Sequence, residues 1–146
     1  MDCATEGSTV PRRLARQKVD HYPATPDRPA ITFQPSKAYE GQGDFLDVDV
    51  AGVPRDQFSY LTIRRIPGRR LQLIAFAIPI ADQGKGYGRR AIETLEAWAR
   101  ESCFNSMHLE SVEDAVGFWR KLGFHESSRP ASEEDWVPMS KVLCNA

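Results

Sequence analysis

The chain has 146 residues, 41% of them hydrophobic and 27% charged, with a net charge of −1. That size and balance fit one soluble globular domain long enough to bury a core. They exclude a general electrostatic pull toward nucleic acid or membrane surfaces, and no apolar run approaches the roughly 18 residues a membrane span needs. Cys3, Cys103 and Cys144 are scattered, without Cys-x-x-Cys or other metal-ligand spacing. Free thiols, no metal and a cytoplasmic setting are the expectation, with Cys103 half-buried on a helix. The opening MDCATEGSTVPRRLARQ lacks the apolar segment of a secretory signal.

Residues 1–30 hold Pro11, Pro23, Pro26 and Pro29 and read as a partly ordered arm ahead of a domain over 31–146. A short helix is expected over Arg13 to Tyr22. Its basic residues suit either an arm packed on the domain or one that binds an anion. Ile31-Thr32-Phe33 reads as a strand ending at Pro35, followed by a loop over 38–43. Phe45 to Val50 partly alternates apolar and acidic residues, which predicts a half-exposed strand with Asp47 and Asp49 on its solvated face. Gly52-Val53-Pro54 turns the chain into a strand over Phe58 to Ile66. Pro67-Gly68 turns it again into Arg69 to Ile78, so an antiparallel meander is expected. The apolar run Leu71 to Ile78 predicts a central strand covered on both faces. Arg64, Arg65, Arg69 and Arg70 fall at the hairpin tip, as a solvated end or as an attractor for anions.

A helix is predicted from Tyr87 to about Cys103, with Ile92, Leu95, Trp98 and Ala99 on one stripe and a Glu96–Arg100 pair on its surface. Asn105 is its expected left-handed stop. Ser106 to Glu110 is the next strand, and the crossover makes it parallel to the strand before the helix. A second helix follows, with Ser111 as N-cap, Asp114 completing an acidic capping box, and Ala115, Phe118, Trp119 and Leu122 on the inner face. Gly123 and Phe124 form a Schellman stop. Trp136 to Leu143 is the closing strand. Trp136 and the meander edge leave room for a homodimer.

Between the apolar strand and the first helix stands Gln83-Gly84-Lys85-Gly86-Tyr87-Gly88-Arg89-Arg90. Alternate glycines let several amides converge, and a helix N-terminus behind them adds free N–H groups, which makes a phosphate cradle. A Walker loop is excluded by its missing Gly-Lys-[Ser/Thr]. The dinucleotide fingerprint is met by Gly86-x-Gly88-x-x-Ala91 with Glu110 downstream. It fails on the Pro79 to Lys85 insertion and on the meander that precedes it.

Gln83-Gly84-Lys85-Gly86-Tyr87-Gly88 resembles the Gln/Arg-x-x-Gly-x-Gly/Ala signature of the GCN5-related N-acetyltransferase (GNAT) superfamily. Ala115 to Phe124 resembles that family's later helix with its Gly-Phe stop, and Met139 to Leu143 its last strand. The resemblance covers about residues 44–144. It implies an α/β (α+β) domain with a mixed, splayed sheet, and acetyl-CoA held between the strands that end at Ile78 and Glu110. Pantetheine would meet the backbone at Ala77, Ile78 and Ile80. The pyrophosphate would sit on the amides of Gly84, Lys85, Gly86, Tyr87, Gly88 and Arg89, with Gln83 also counted among the donor-binding residues. The implied activity is direct acetyl transfer from acetyl-CoA to an amine, small or protein-borne. A neutral amine must be positioned, an N–H at Ile78 or its neighbour must hold the oxyanion, and protons must move.

Two departures from the family bear on the protons. Trp119 stands where many members have a Tyr acid, and an indole does not give up its proton near neutral pH. The strand Leu71 to Ile78 also lacks the carboxylate many members carry. Glu110 and Ser111 are the catalytic candidates, with His108, Asp47, Asp49, Tyr60 and Tyr87 as others. Trp119 is core or a wall of the thiol pocket. An acetyl-CoA-binding module with little catalysis is the alternative from another class, and a nicotinamide-binding protein a lesser one.

Overall fold

In the computed structural model, residues 19–54, 61–78, 82–127 and 135–143 are described. They build one mixed sheet with helices against it. The strands are β1 (Asp20–Tyr22), β2 (Ile31–Pro35), β3 (Phe45–Val50), β4 (Leu61–Ile66), β5 (Arg70–Phe76), β6 (Ser106–Val112), β7 (His125–Glu126) and β8 (Trp136–Val142). Helix α1 (Tyr87–Glu101) joins β5 to β6. A 3-10 turn (Glu113–Ala115) and α2 (Val116–Lys121) follow β6. The sheet order is β1-β2-β3-β4-β5-β6-β8-β7. Among the described residues only β5 and β6 are parallel, as the crossover through α1 requires. One crossover after a meander is not the repeated unit of a dinucleotide fold.

The helices share one face of the sheet. Ala91, Ile92, Leu95, Trp98 and Ala99 of α1 are buried, and Trp98 packs on Phe33 of β2 with centroids 4.3 Å apart. On β8, Lys141 is the register partner of Met107 and so shares its face. Its Nζ donates to Glu96 of α1 and to the carbonyl of Leu122 beyond α2, both at 2.6 Å. Both helices therefore cover the side that carries Met107 and Leu109. α2 ends in a Schellman stop as expected. Gly123 has φ 94, its N–H donates to Arg120, and the Phe124 N–H donates to Trp119.

Several local expectations are corrected. Asp20–Tyr22 pair with β2 as a strand and Val19 before them is not helical, so no helix reaches Tyr22; residues 13–18 of that expected helix lie outside the described residues. Extended pairing satisfies backbone groups that a three-residue helical end would leave open. The positive φ after α1 belongs to Cys103 (φ 65), not Asn105. Asn105 instead donates its backbone N–H to Arg69 and accepts from Leu143, which places it in the sheet's hydrogen bonding. Cys103 is buried and disulfide-bonded, which replaces the expected free thiol at that position.

β3 is buried nearly throughout rather than half-exposed. The cause is the loop after β2, which folds back over it. Tyr39 stacks on Phe45 at 4.1 Å, and the Lys37 N–H donates to Asp47 Oδ2 at 3.2 Å. Thr62 Oγ1 donates to Asp47 Oδ1 at 2.9 Å. Asp47 thus pins a loop and does not face solvent.

The arginines near the hairpin are not a uniform solvated tip. Arg64 lies over the Phe45 ring at 5.0 Å, and Arg70 Nε donates to the turn carbonyl of Pro67 at 2.7 Å. Arg65 is buried. Burial pushes its guanidinium below the ordinary arginine value, partly offset by Asp44, Tyr22 and Asp20. It donates to the Gly43 carbonyl at 3.2 Å and sees Asp44 only at 4.0 Å, while its Nε and Nη1 have no hydrogen-bond partner. A buried charge this poorly compensated contributes little. Arg65→Met is therefore expected to leave the melting temperature unchanged or raise it, by up to about 2 kcal/mol of stability. A clear fall in thermal denaturation would refute that account.

The segment before β2 is anchored to the end of α1. Arg28 is 6% exposed. Its Nε and Nη2 meet the two oxygens of Glu101 at 2.7 and 3.0 Å, and Nη1 donates to the carbonyls of Pro23 and Pro29.

Candidate functional site

The sheet opens between β5 and β6. Their pairing covers only Arg70↔Ser106, Leu71↔Met107 and Gln72↔His108. Beyond Gln72, β5 continues to Phe76 and β6 to Val112 without pairing to each other. Two features drive the strands apart. The register of β4 and β5 shifts between Thr62 and Ile63, which leaves Ile74 as an extra residue on β5. Such a bulge bends the strand and increases its twist. β6 meanwhile stays paired with β8 as far as Val112↔Trp136. Each strand follows its outer neighbour, and a V-shaped gap opens with backbone groups along both inner edges.

The gap is the floor of a cleft of about 910 Å³. One wall is Leu73 to Ile78, the other Leu109 to Val112, and Phe118, Trp119 and Trp136 close it from α2 and β8. This corrects the reading of β5 as covered on both faces. Leu71 and Leu73 are buried, but Ala75 and Ala77 are exposed and Ile74, Phe76 and Ile78 half-buried. The apolar run is long because it serves the core with one part and the cleft with another.

The glycine loop stands at the open end. Gly84 and Gly86 both have φ 82, which strains any residue with a Cβ, and a methyl group at either would meet no atom within 4 Å. The space beside them is therefore free. Gly86 is the N-cap of α1 and offers no side chain to its first-turn amides, and that turn holds no acidic residue. A 15-residue helix thus presents uncapped N–H groups and its positive end toward the cleft. At Gly88 an added Cβ would touch the Phe118 ring at 3.4 Å, so small size there lets α1 approach α2. Gln83 Nε2 donates to the Ile78 carbonyl at 3.0 Å and ties the loop to the strand end.

Of the residues expected to hold the donor, Ala77, Ile78, Gln83, Gly84, Gly86, Tyr87, Gly88, Arg89 and Trp119 border the cleft. Arg89 is also paired with Glu93 at 3.0 Å. Lys85 lies in the loop but outside the cleft lining, 3.6 Å from Asp82. Ile80 and Tyr60 fall outside the described residues. Trp119 serves as both core and wall: it is 7% exposed, packs edge-on against Phe118 and Phe124, and reaches the cleft beside Phe76.

Glu110 and Ser111 both border the cleft. Ser111 is not a helix cap. It is still in β6, buried, with Oγ donating to the Val112 carbonyl at 2.7 Å. The Ser111–Asp114 box does not form, because the backbone enters a 3-10 turn at Glu113 and α2 starts at Val116 without a side-chain cap. His108 lies at the closed end of the V, against Ser106 Oγ at 2.7 Å, and does not border the cleft. Asp47 and Asp49 do not border it either. Trp136 and Val112 do, and their place at its mouth was not foreseen. The register that brings them together depends on how far β6 extends past Glu110.

Among the described residues no three His, Cys, Asp or Glu gather as for a metal, and no helix is long and apolar enough to cross a membrane.

Comparisons with known proteins fit this geometry. A family profile described as "Acetyltransferase (GNAT) family" matches residues 45–124, more than half of the chain. Among solved structures, Tetrahymena GCN5 is similar with a TM-score of 0.56 at 17% identity, over 70% of this chain and 71% of that one. The ribosomal-protein-S18-alanine N-acetyltransferase from Escherichia coli gives 0.51 at 18% identity, over 70% of each. An aminoglycoside 6'-N-acetyltransferase complexed with coenzyme A gives 0.53 at 17% identity, over 70% and 75%. At these identities the likeness speaks for the fold. No curated protein sequence gives a significant match.

Proposed function

The chain belongs to the GNAT acetyltransferase family, and from that premise we propose that it moves an acetyl group from acetyl-CoA directly to a primary amine. One observation carries the reading. A gap between two strand edges that do not pair with each other runs into a glycine loop at an uncapped helix N-terminus. A pantetheine arm is a chain of amides that can pair with such edges, and a pyrophosphate is the anion such an N-terminus favours. The residues present fit that donor.

In this reading the inner edge at Ala77 and Ile78 orients the thioester and lends an N–H to the oxygen on which charge develops. The loop amides at 84 to 89 hold the pyrophosphate. Trp119 and Phe118 keep water from the thioester. Glu110 accepts the proton of the attacking amine, directly or through water, and Ser111 holds the turn of β6 beside it. The thiolate's proton comes from solvent or the same relay, since the Trp119 indole cannot supply it. The acceptor is a small-molecule or protein-borne amine.

Acetyl-CoA at 100 times its dissociation constant is expected to stabilise the protein by about 2.7 kcal/mol, seen as a raised melting temperature. No shift with acetyl-CoA would end this reading, and a larger shift with NADH would revive the dinucleotide one. Glu110→Gln should lower kcat by roughly tenfold or more without changing acetyl-CoA affinity. The buried Trp119 at the place of a proton donor favours a second reading, a donor-binding module with little turnover. Thiol release from acetyl-CoA across a panel of amines separates the two.

A further inference from the structure

We propose that Trp136 and Val112 form the selecting wall of the acceptor subsite, and that the acceptor is a primary amine carried on a flat apolar body. This rests on the acetyl-transfer reading of the same cleft. Val112 and Trp136 are register partners on β6 and β8, and Glu110 pairs with Pro138 two positions away. Residues two apart along a strand, and residues directly opposite across it, share a face. Glu110, Val112, Trp136 and Pro138 therefore form one patch at the end of the sheet. Val112 is 51% and Trp136 39% exposed, two of the four large hydrophobics left in solvent among the described residues. Both border the cleft beside Glu110.

The chemistry of the patch names its occupant. Glu110 and Trp136 share this sheet face and both border the cleft, and a carboxylate and an indole each attract an ammonium group. Asp135, exposed and adjacent to Trp136, adds negative charge to the same end. Among the described residues beside the patch, Gln83 bonds Ile78, Arg89 pairs with Glu93, and Ser111 bonds the Val112 carbonyl. An amine with an aryl or similar flat body covers Trp136 and Val112 and places its nitrogen at Glu110.

The test is calorimetric titration of the full chain, loaded with CoA, with 2-phenylethylamine and with ethylamine. Both carry one positive charge and differ in apolar area. The aryl amine is expected to bind at least about tenfold more tightly, from the apolar surface it buries. Trp136→Ala should abolish the preference while leaving ethylamine binding in place, Trp136→Phe should keep most of it, and Glu110→Gln should weaken both amines alike. Equal affinities in the wild type, absence of binding by both amines, or a preference that survives Trp136→Ala would each overturn the proposal. A thermal shift with CoA is recorded first. If CoA shifts the midpoint and the amine preference is missing, this proposal alone falls. If CoA does not shift it, the parent reading falls and takes this one with it.

Discussion

Gly86→Asp is expected to weaken acetyl-CoA binding by at least about 100-fold, the equivalent of roughly 2.7 kcal/mol. Two effects combine. At φ 82 a residue with a Cβ is strained, by about 1 kcal/mol. More important is the charge. Gly86 is the N-cap of α1 and lends its first turn no side chain. A carboxylate placed there takes up the open amides itself and repels the anion meant for them. Gly86→Asn isolates the charge, since asparagine has the same shape, tolerates this backbone and can also bond the open amides, but is neutral. It should lose far less affinity than the aspartate. Gly41 offers a second control: it has φ 83, a methyl there also meets nothing within 4 Å, and it lies in the loop after β2. Gly41→Ala should carry the backbone strain and leave the acetyl-CoA thermal shift untouched. Equal binding by Gly86→Asp and the wild type would remove the loop from the anion site.

The largest loss of stability is expected at the Arg28–Glu101 pair. Arg28 has a side chain only 3% exposed and spends all three nitrogens on Glu101, Pro23 and Pro29. Glu101→Ala leaves that cation buried with carbonyl partners alone. Breaking a buried pair from one side costs about 3 kcal/mol or more. The carboxylate here is partly exposed, at 36%, so the lower end applies. Arg28→Leu, which removes the stranded charge but also two bonds to carbonyls, should cost less than Glu101→Ala. Chemical denaturation of the three proteins checks the order, and the opposite order would show that the carbonyl bonds outweigh the charge.

Much of the scaffold was legible because local chemistry and tertiary role agreed. The stripe Ile92, Leu95, Trp98, Ala99 is buried as its spacing required, and Gly123-Phe124 stops α2 with the expected pair of bonds. The glycine loop stands between β5 and α1 as its spacing suggested, with Gly84 and Gly86 at positive φ. What failed depended on contacts distant in sequence. Asp47 alternates like a surface residue, and only the returning loop with Lys37 and Tyr39 buries it. Ser111 has the chemistry of a helix cap, but pairing with Val137 keeps it in β6. The bulge at Ile74 has no glycine or proline to announce it. It follows from how β4 and β5 must register, which no single segment contains. Cys103 showed the same limit: a lone cysteine does not reveal its bonding partner.

The short seam between β5 and β6 has a mechanical consequence. Three residue pairs join a five-stranded leaf to a three-stranded one, like the spine of a book. Helix α1 spans the two leaves as a tie, through Trp98 to Phe33 on one and Glu96 to Lys141 on the other. Any molecule that stitches the two inner edges reinforces the fold at its narrowest join. Occupancy of the cleft therefore sets how stiffly the two leaves move as one body, with α1 as the torsion bar between them.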